Sequence, residues 1–333
     1  MIQAICLGPA VIDMVALEAG VALDSPNAYV AAPGGSSANV AVGLSKLGVR
    51  TAFVGKVGDD AFGSLLEKTL RQNGVDTSGM SYSKEARTTL VFISERDGGI
   101  LFYRNPGADM LLSCDEIDEG MFKEASLLHF DTVCMSHEPA CSAMIHAIEL
   151  ARRHRLFISF DVNYRADIWE NPEVAKERAR YALERSDFVK LSLEELEFLF
   201  ETTDMEKGSE TVLAQSDKIQ LAAVTAGEGG SFARTRNASK FVDAAKVTCV
   251  DATGCGDAFV AAIISRLMHW NGQGKTIAEL SADDLEQALR FANVAGGFTA
   301  RNKGVIPALP DSSELEDFVR RGFENDPNAA TPS

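Results

Sequence analysis

Two short runs in this 333-residue chain combine glycine with side chains that can move a proton or hold a hydroxyl. The first is Val250-Asp251-Ala252-Thr253-Gly254-Cys255-Gly256-Asp257-Ala258-Phe259. Two glycines there open an apolar helical stretch, and an acid follows directly. Glycine lets a ligand approach the backbone, and the first turn of a helix leaves N–H groups without intrahelical partners. Those N–H groups and the positive helix end make an anion site. A carboxylate beside it can take a proton from a hydroxyl. Phosphoryl transfer to an alcohol needs both parts: donors for the transferring charge and a base next to the nucleophile. Taken alone, Asp257 could equally do no more than stabilise the helix N-terminus. The second run is Pro33-Gly34-Gly35-Ser36-Ser37-Ala38-Asn39-Val40-Ala41. Gly34 and Gly35 allow a ligand to touch the backbone, and Asn39 can hold hydroxyls as donor and acceptor. A glycine-rich turn before a capped helix is the ordinary alternative.

The elements that must position these runs alternate. Strands are expected at 50–57, 126–134, 156–162, 187–191 and 219–225. Helices are expected at 61–73, ending at Gly74, and at 139–154, 172–186 and from 193. The run LFISFDV at 156–162 is nearly all apolar, as a strand buried on both faces requires. This rhythm predicts an α/β fold, a doubly wound and mostly parallel sheet flanked by helices. Two segments break it. Residues 87–104 read as a hairpin around Arg96-Asp97-Gly98-Gly99, and 11–30 holds strand-like pieces with no helix between them. Together they predict a small β-sheet lid, from roughly 11–31 and 87–106, over strand ends where open α/β sheets bind ligands. One domain over 1–325 and a disordered tail at 326–333 complete the expectation. The last third should be mostly helical: 254–270 is apolar nearly all round, 282–298 is a second long helix, and Asp311 with Glu314 is spaced like a capping box.

Composition excludes several classes. Lys and Arg total 32 against 48 Asp and Glu, a formal charge of −16, which disfavours nucleic acid and anionic membranes. No apolar stretch is long enough to span a bilayer. The N-terminus lacks a basic start and contains Asp13, so it reads as a first strand and not a signal peptide. The six cysteines form no CxxC pair or zinc spacing, which fits free thiols in a cytoplasmic protein. Gly274-Lys275-Thr276 lacks the upstream glycine of a P-loop, since His269 occupies that position. No GxGxxG or GxSxG occurs at a strand end.

The two runs together resemble the signature segments of the PfkB (ribokinase-like) carbohydrate kinases. GGSSANVA is similar to the N-terminal sugar-binding signature, and DATGCGDAF to the C-terminal phosphate-site signature, usually written DTxGAGDxF. VGKVGDDAFG, FYRNPGADMLL, DVNYRADIW, VKLSLEELEFL, VTAGEGGS and KGVIPALP fall in the order expected of that family, so the resemblance covers almost the whole chain. FYRNPGADMLL and the Asn-x-Arg segment look most like its fructokinase branch.

The resemblance implies a ribokinase-like fold and transfer of the γ-phosphoryl of ATP, with Mg2+ and K+, to a primary hydroxyl of a sugar, most readily fructose. It implies that Asp257 is the base and that Gly254, Cys255 and Gly256 give N–H groups to the γ-phosphoryl. Asp13, Gly34, Gly35 and Asn39 would hold the sugar, with Tyr103, Arg104 and Arg165 in segments lining its site or lid. Asn163 and Lys190 fall in nucleotide-site segments. Thr225, Gly227 and Gly230 would border the nucleotide phosphates and ribose, and Asn293 the adenine. Glu195 would organise magnesium through water. Asp251, Thr253, Thr299, Asn302, Gly304 and Ala308 match a monovalent-cation site. A homodimer through the lid is also implied.

Three positions depart from the family pattern. Ala252 replaces threonine, Cys255 replaces alanine, and Ser192 replaces the asparagine of Asn-x-x-Glu, a change that fructokinase-like members tolerate. A thiol at a helix N-terminus is expected to have a lowered pKa, which makes Cys255 a candidate point of inhibition by oxidants. Within the class, 2-keto-3-deoxygluconate kinase and ribokinase compete with fructokinase. The keto acid needs cationic partners, for which Arg104 and Arg165 are candidates. A catalytically weak sensor binding a sugar or nucleotide is the alternative from another class.

Overall fold

The computed structural model describes residues 2–17, 22–25, 28–93 and 100–321. The expected turn at 96–99 and the tail at 326–333 lie outside them.

In chain order, β1 (Ala4–Leu7), β2 (Val11–Ala16) and β3 (Tyr29–Gly34) lead into α1 (Ser36–Lys46). Next come β4 (Thr51–Gly58), α2 (Ala61–Gln72), β5 (Asp76–Ser83), β6 (Leu90–Ile93), β7 (Ile100–Tyr103) and α3 (Glu119–Glu124). Then follow β8 (Leu127–Asp131), α4 (Ala140–Arg153), β9 (Phe157–Asp161), α5 (Pro172–Leu183), β10 (Phe188–Ser192), α6 (Leu193–Phe200) and α7 (Met205–Ala214). Strands β11 (Leu221–Thr225), β12 (Ser231–Thr235) and β13 (Ser239–Val242) precede α8 (Cys255–Gly272), α9 (Ala282–Thr299), α10 (Val305–Ala308) and α11 (Ser312–Arg321).

The larger sheet has nine strands in the order β13-β12-β11-β10-β9-β8-β1-β4-β5. The pairs β1–β4, β1–β8, β4–β5 and β10–β11 are parallel, while β11–β12 and β12–β13 are antiparallel. A smaller sheet runs β3-β2-β6-β7. The strand rhythm read from the sequence is therefore present, and the fold is α/β with a mostly parallel main sheet. The chain separates into two compact units. The first is Met1–Val42, Arg50–Ser159 and Asn163–Ala182; the second is Gly43–Val49, Phe160–Val162 and Leu183–Ser333.

In the first unit, every residue of β1 and β8 is buried. The apolar run of β1 and the mostly apolar one of β8, interrupted by the buried His129 and Asp131, suit strands covered on both faces. The strand expected to run to residue 134 stops at Asp131. Its carboxylate Oδ1 accepts from the Val133 N–H at 2.8 Å and turns the chain into a short 3-10 helix, Val133–Ser136. Helix α2 is bounded as its residues require. Asp60 caps the N-terminus by accepting from the Phe62 and Gly63 N–H groups, and Gly74 takes φ +78° past the last turn. Asp60 also accepts from the Thr88 N–H (2.9 Å) and hydroxyl (2.8 Å), so it ties α2 to the segment before β6. Desolvation pushes its carboxyl up, but these donors together hold it below its ordinary value. Asp60→Ala should therefore cost about 2 kcal/mol, the upper end of the capping range. In the parent, that stabilisation is present above the ordinary aspartate range and lost as pH falls through the depressed pKa. Urea unfolding of both proteins at neutral pH and near pH 3 checks it: the gap between them should close in acid.

In the second unit, β10 and β11 are again nearly fully buried, and α8 buries residues around most of its circumference, including Phe259, Val260, Ile263, Ile264 and Leu267. Asp311 and Glu314 form the reciprocal cap of α11 at 2.9 Å each way. The strands β12 and β13 were not anticipated. They are short, and their antiparallel pairing extends one end of a sheet whose sequence signal elsewhere is parallel. No helix among the described residues is long and apolar enough to cross a membrane.

Candidate active site

In the second unit, Gly254 is the N-cap of α8 with φ +79°, a left-handed conformation that glycine adopts without strain. A Cβ there would also collide with Val305, so the position excludes any other residue on two grounds. The Cys255 N–H donates back to the Ala252 carbonyl at 3.3 Å, a long bond with which an incoming anion would compete. Asp257 sits in the first turn of α8, only partly exposed.

Beside this helix start lies a buried ion pair. The Lys190 ammonium on β10 is 3.0 and 3.2 Å from the two carboxylate oxygens of Asp161 at the end of β9. A Cβ built on Gly256 would lie 3.3 Å from Lys190 Nζ, which places the ammonium against the helix start. Lys190 is therefore not a surface ion-pair partner. Burial, reinforced by Glu195 and Asp257, pushes the Asp161 carboxyl up to about 7 against the opposing pull of Lys190. Burial lowers the Lys190 pKa, but Asp161, Glu195 and Asp257 outweigh it and hold the ammonium above its ordinary value. Glu195 completes a capping box on α6, its Oε2 accepting from the Ser192 N–H at 2.6 Å while its own N–H donates to Ser192 Oγ. Three carboxylates thus share the field of one ammonium.

A cavity of about 530 Å³ opens on the same helix start. It brings together Thr225, Gly227, Gly230, Cys255, Gly256 and Asn293 from β11, the turn after it, α8 and α9. The volume suits a nucleotide-sized ligand. Asn293 is committed to the wall: its Oδ1 accepts from Ser231 Oγ at 2.8 Å, and its Nδ2 donates to the Val242 and Asp243 carbonyls. Next to α8, Asp251 links two loops, accepting from the Thr253 N–H (2.9 Å) and the Gly304 N–H (3.4 Å). The Thr299 hydroxyl donates to the Ala295 carbonyl, the Asn302 N–H donates to the Thr299 carbonyl, and Ala308 is buried in α10.

The lowered pKa expected of Cys255 is not found. Burial, reinforced by the neighbouring Cys249, Asp251 and Asp257, pushes its thiol up to about 12, and the helix end does not offset this. At neutral pH the thiolate is scarce, and the thiolate is the reactive species. Cys255→Ala should keep activity and show the same peroxide sensitivity as the parent, measured as residual turnover against peroxide dose. Protection by the substitution would restore the redox role.

The first unit holds a second cluster. Asp13 on β2 is buried and paired with Ala32 of β3; its carboxylate lies over Gly34, where a Cβ would collide with it. Gly35, at φ +106°, packs on the Pro9 carbonyl, and its own carbonyl accepts from the Asn39 N–H at 2.8 Å. Asn39 is buried on the first turn of α1. Beneath this turn Asp131, fully buried, accepts from the Ser36 hydroxyl and lies 2.9 Å from Ser37 Oγ. Desolvation raises the Asp131 pKa, against these hydrogen bonds and the charge of Arg165. Arg165 donates to the Tyr164 carbonyl, and Asn163 is buried at φ +43°. Arg104 is held by Asp109, whereas Tyr103 is exposed on β7, its ring against Phe92.

Sequence reasoning missed Asp131, Asp161 and Asp109. For the first two a signal existed. Each closes an apolar strand, LLHFD and FISFD, at the carboxyl end where open α/β sheets bind ligands.

With the glycine pair, the acid and the cavity in place, comparison with known proteins decides the family. Residues 1–312 match the model described as the pfkB family carbohydrate kinase. This chain belongs to the pfkB family. Among curated relatives of this kinase, probable fructokinase-2 of Arabidopsis thaliana is 38% identical over 320 residues, 95% of each chain. Among solved structures, the ATP-bound fructokinase of Xylella fastidiosa superposes with a TM-score of 0.85 at 30% identity, covering 96% of this chain and 98% of that one. A double mutant of the Vibrio cholerae O395 fructokinase, with fructose, ADP and potassium ion bound, gives 0.84 at 30% identity, covering 96% and 98%. The pfkB kinase described here is thus a carbohydrate kinase with the ribokinase-like fold.

Proposed function

We propose that this kinase transfers the γ-phosphoryl of ATP to a primary hydroxyl of fructose. The observation that carries the reading is the convergence, within the second unit, of the α8 glycine start, Asp257 and Lys190 with the cavity lined by Thr225, Gly227, Gly230 and Asn293. The choice of fructose rests on relatives named as fructokinases.

Asp257 accepts the hydroxyl proton. A weak base suffices, because in a loose transition state the proton leaves late. The first-turn N–H groups of α8 around Gly256, and the Lys190 ammonium beside them, take up the charge on the transferring group. Gly254 fixes the direction in which those groups point. Asp13, Gly34, Gly35 and Asn39 hold the sugar hydroxyls. The smaller sheet is the lid, which excludes water and so limits ATP hydrolysis.

Glu195 would organise Mg2+ brought in with the nucleotide through water, in the field that Asp161 and Asp257 share with the Lys190 ammonium. Among the described residues no three metal-ligating side chains form a cage of their own, and Mg2+ at phosphoryl-transfer sites keeps water and phosphate as ligands. When bound, Mg2+ neutralises phosphate charge. The loops joined by Asp251, with Thr253, Thr299, Asn302, Gly304 and Ala308, are the place for K+, whose positive charge would support the neighbouring anion site. The exposed Leu101 and Tyr103, which share one face of the smaller sheet, supply apolar contacts for a homodimer, and the free thiols fit a cytoplasmic setting.

The test is ADP release from MgATP with K+, with fructose, 2-keto-3-deoxygluconate, ribose and adenosine in parallel and Asp257→Asn as control. Fructose-dependent release lost in the control supports the reading. Release with another sugar alone corrects the substrate. Thermal stabilisation by ligands without ADP would move the protein to the sensor class, which Ala252 and Cys255 alone favour.

A further inference from the structure

The arginine after β7 is not a free cation. The Arg104 and Asp109 side chains are 3% and 2% exposed and 2.7 Å apart. Arg104 Nε also donates to Asp109 Oδ2 at 2.8 Å, Nη1 to Ser136 Oγ at 2.9 Å, and Nη2 to the Val133 carbonyl at 3.3 Å. Of the guanidinium's N–H groups, this leaves one on Nη1 without an acceptor among the described residues. Asp109 is fixed in turn, its other oxygen accepting from the Thr89 hydroxyl. Gly107 leaves room for that contact, since a Cβ there would collide with the same hydroxyl.

Beside Arg104 lies a cavity of about 260 Å³, lined also by Phe102, His137, Asp167, Trp169 and Glu170. Burial, with Arg104 nearby, holds the His137 imidazole below its ordinary pKa, so it is neutral at pH 7. Counting Arg104 as +1 and Asp109, Asp167 and Glu170 as −1 each, the surroundings carry −2. A carboxylate entering here would meet one N–H donor and a net negative field; a sugar hydroxyl would meet the same donor with no charge penalty.

We infer that Asp109 is a specificity-determining residue: by neutralising and holding Arg104, with Asp167 and Glu170 alongside, it makes this kinase select uncharged sugars over sugar acids. The inference deepens the fructokinase reading and rests on Arg104 lining the sugar site. Arg104 thereby loses the role of carboxylate partner that a keto-acid substrate would need.

The experiment measures kcat/KM for fructose and 2-keto-3-deoxygluconate in the parent, Asp109→Asn, Asp109→Glu and the double variant Asp167→Asn/Glu170→Gln, with KM for ATP alongside. The parent should prefer fructose by at least about 100-fold. Asp109→Asn and the double variant should each narrow that preference at least about tenfold, with KM for ATP unchanged. Asp109→Glu, which keeps the charge, should retain it. Parallel losses with both sugars would reduce Asp109 to a structural residue and overturn the inference, as would a parent that uses the keto acid as well as fructose. If Asp109→Asn fails to fold, the double variant carries the same charge test. If no sugar is phosphorylated, the kinase reading fails, and thermal-shift titration of parent and double variant with fructose and gluconate still reads the charge selection. Equal stabilisation of the parent by both ligands would then overturn it.

Discussion

Asp257→Asn should lower turnover by about 10²–10⁴-fold, the range a positioned general base contributes, while ATP affinity stays within a few-fold of the parent. Asparagine keeps the size and shape of the side chain, so the helix start and the cavity that Cys255 and Gly256 line should persist. It cannot accept the hydroxyl proton. The alternative role, stabilising the helix end, predicts the opposite pattern: a small loss of thermal stability and near-normal turnover. Asp257 also pushes the Asp161 carboxyl up and supports the Lys190 charge, so neutralising it relaxes the ion pair beside the anion site. That secondary effect would appear in ATP binding as well as in the rate, whereas loss of the base alone lowers only the rate. Single-turnover rates at saturating ATP, set beside equilibrium nucleotide binding, separate the two. A variant that turns over normally while melting earlier would remove Asp257 as the base.

The parts of this molecule that were legible in the sequence are those whose signal is local and repeated. Strands such as β1 and β11 are buried and so read as nearly unbroken apolar runs, and α8, apolar nearly all round, announces its own burial. The two glycine runs carried the candidate site for the same reason: a tight helix entry needs specific residues at fixed offsets. What escaped was decided by tertiary partners. Asp131 is an ordinary strand-end acid until Ser36 and Ser37, almost a hundred positions away, are folded onto it. Arg104 reads as a spare cation until Asp109 and Ser136 take its donors. Cys255 illustrates competition between effects. Its place at a helix N-terminus argues for an activated thiol, yet burial among Cys249, Asp251 and Asp257 is the larger force and reverses the sign. Short-range pattern sets where the backbone goes; the charge state of a site depends on what the fold brings within a few ångströms.

Lys190→Met should produce the largest combined loss. It leaves Asp161 buried without its cation, and breaking a buried pair by removing one partner costs about 3–5 kcal/mol. The cost has a definite pH signature. In the parent the Asp161 carboxyl is already pushed up to about 7 by burial, with Lys190 opposing the rise. Without Lys190 it rises further. A carboxyl whose folded pKa exceeds its unfolded value binds its proton more tightly in the folded state. The single variant should therefore be least impaired in acid and lose stability as pH rises beyond the ordinary aspartate range. The function of Lys190 is separable from this. Lys190→Met/Asp161→Leu removes both charges and should recover most of the stability, because a buried pair replaced by apolar residues is often neutral or better. It should not recover phosphoryl transfer. The ammonium lies against Gly256 at the start of α8, and a preorganised donor of this kind supplies about 10²–10³-fold in rate. Turnover of the double variant at saturating ATP and sugar is the decisive number. If it returns to the parent value, Lys190 serves only to neutralise Asp161, and the anion site works through the backbone of α8 alone.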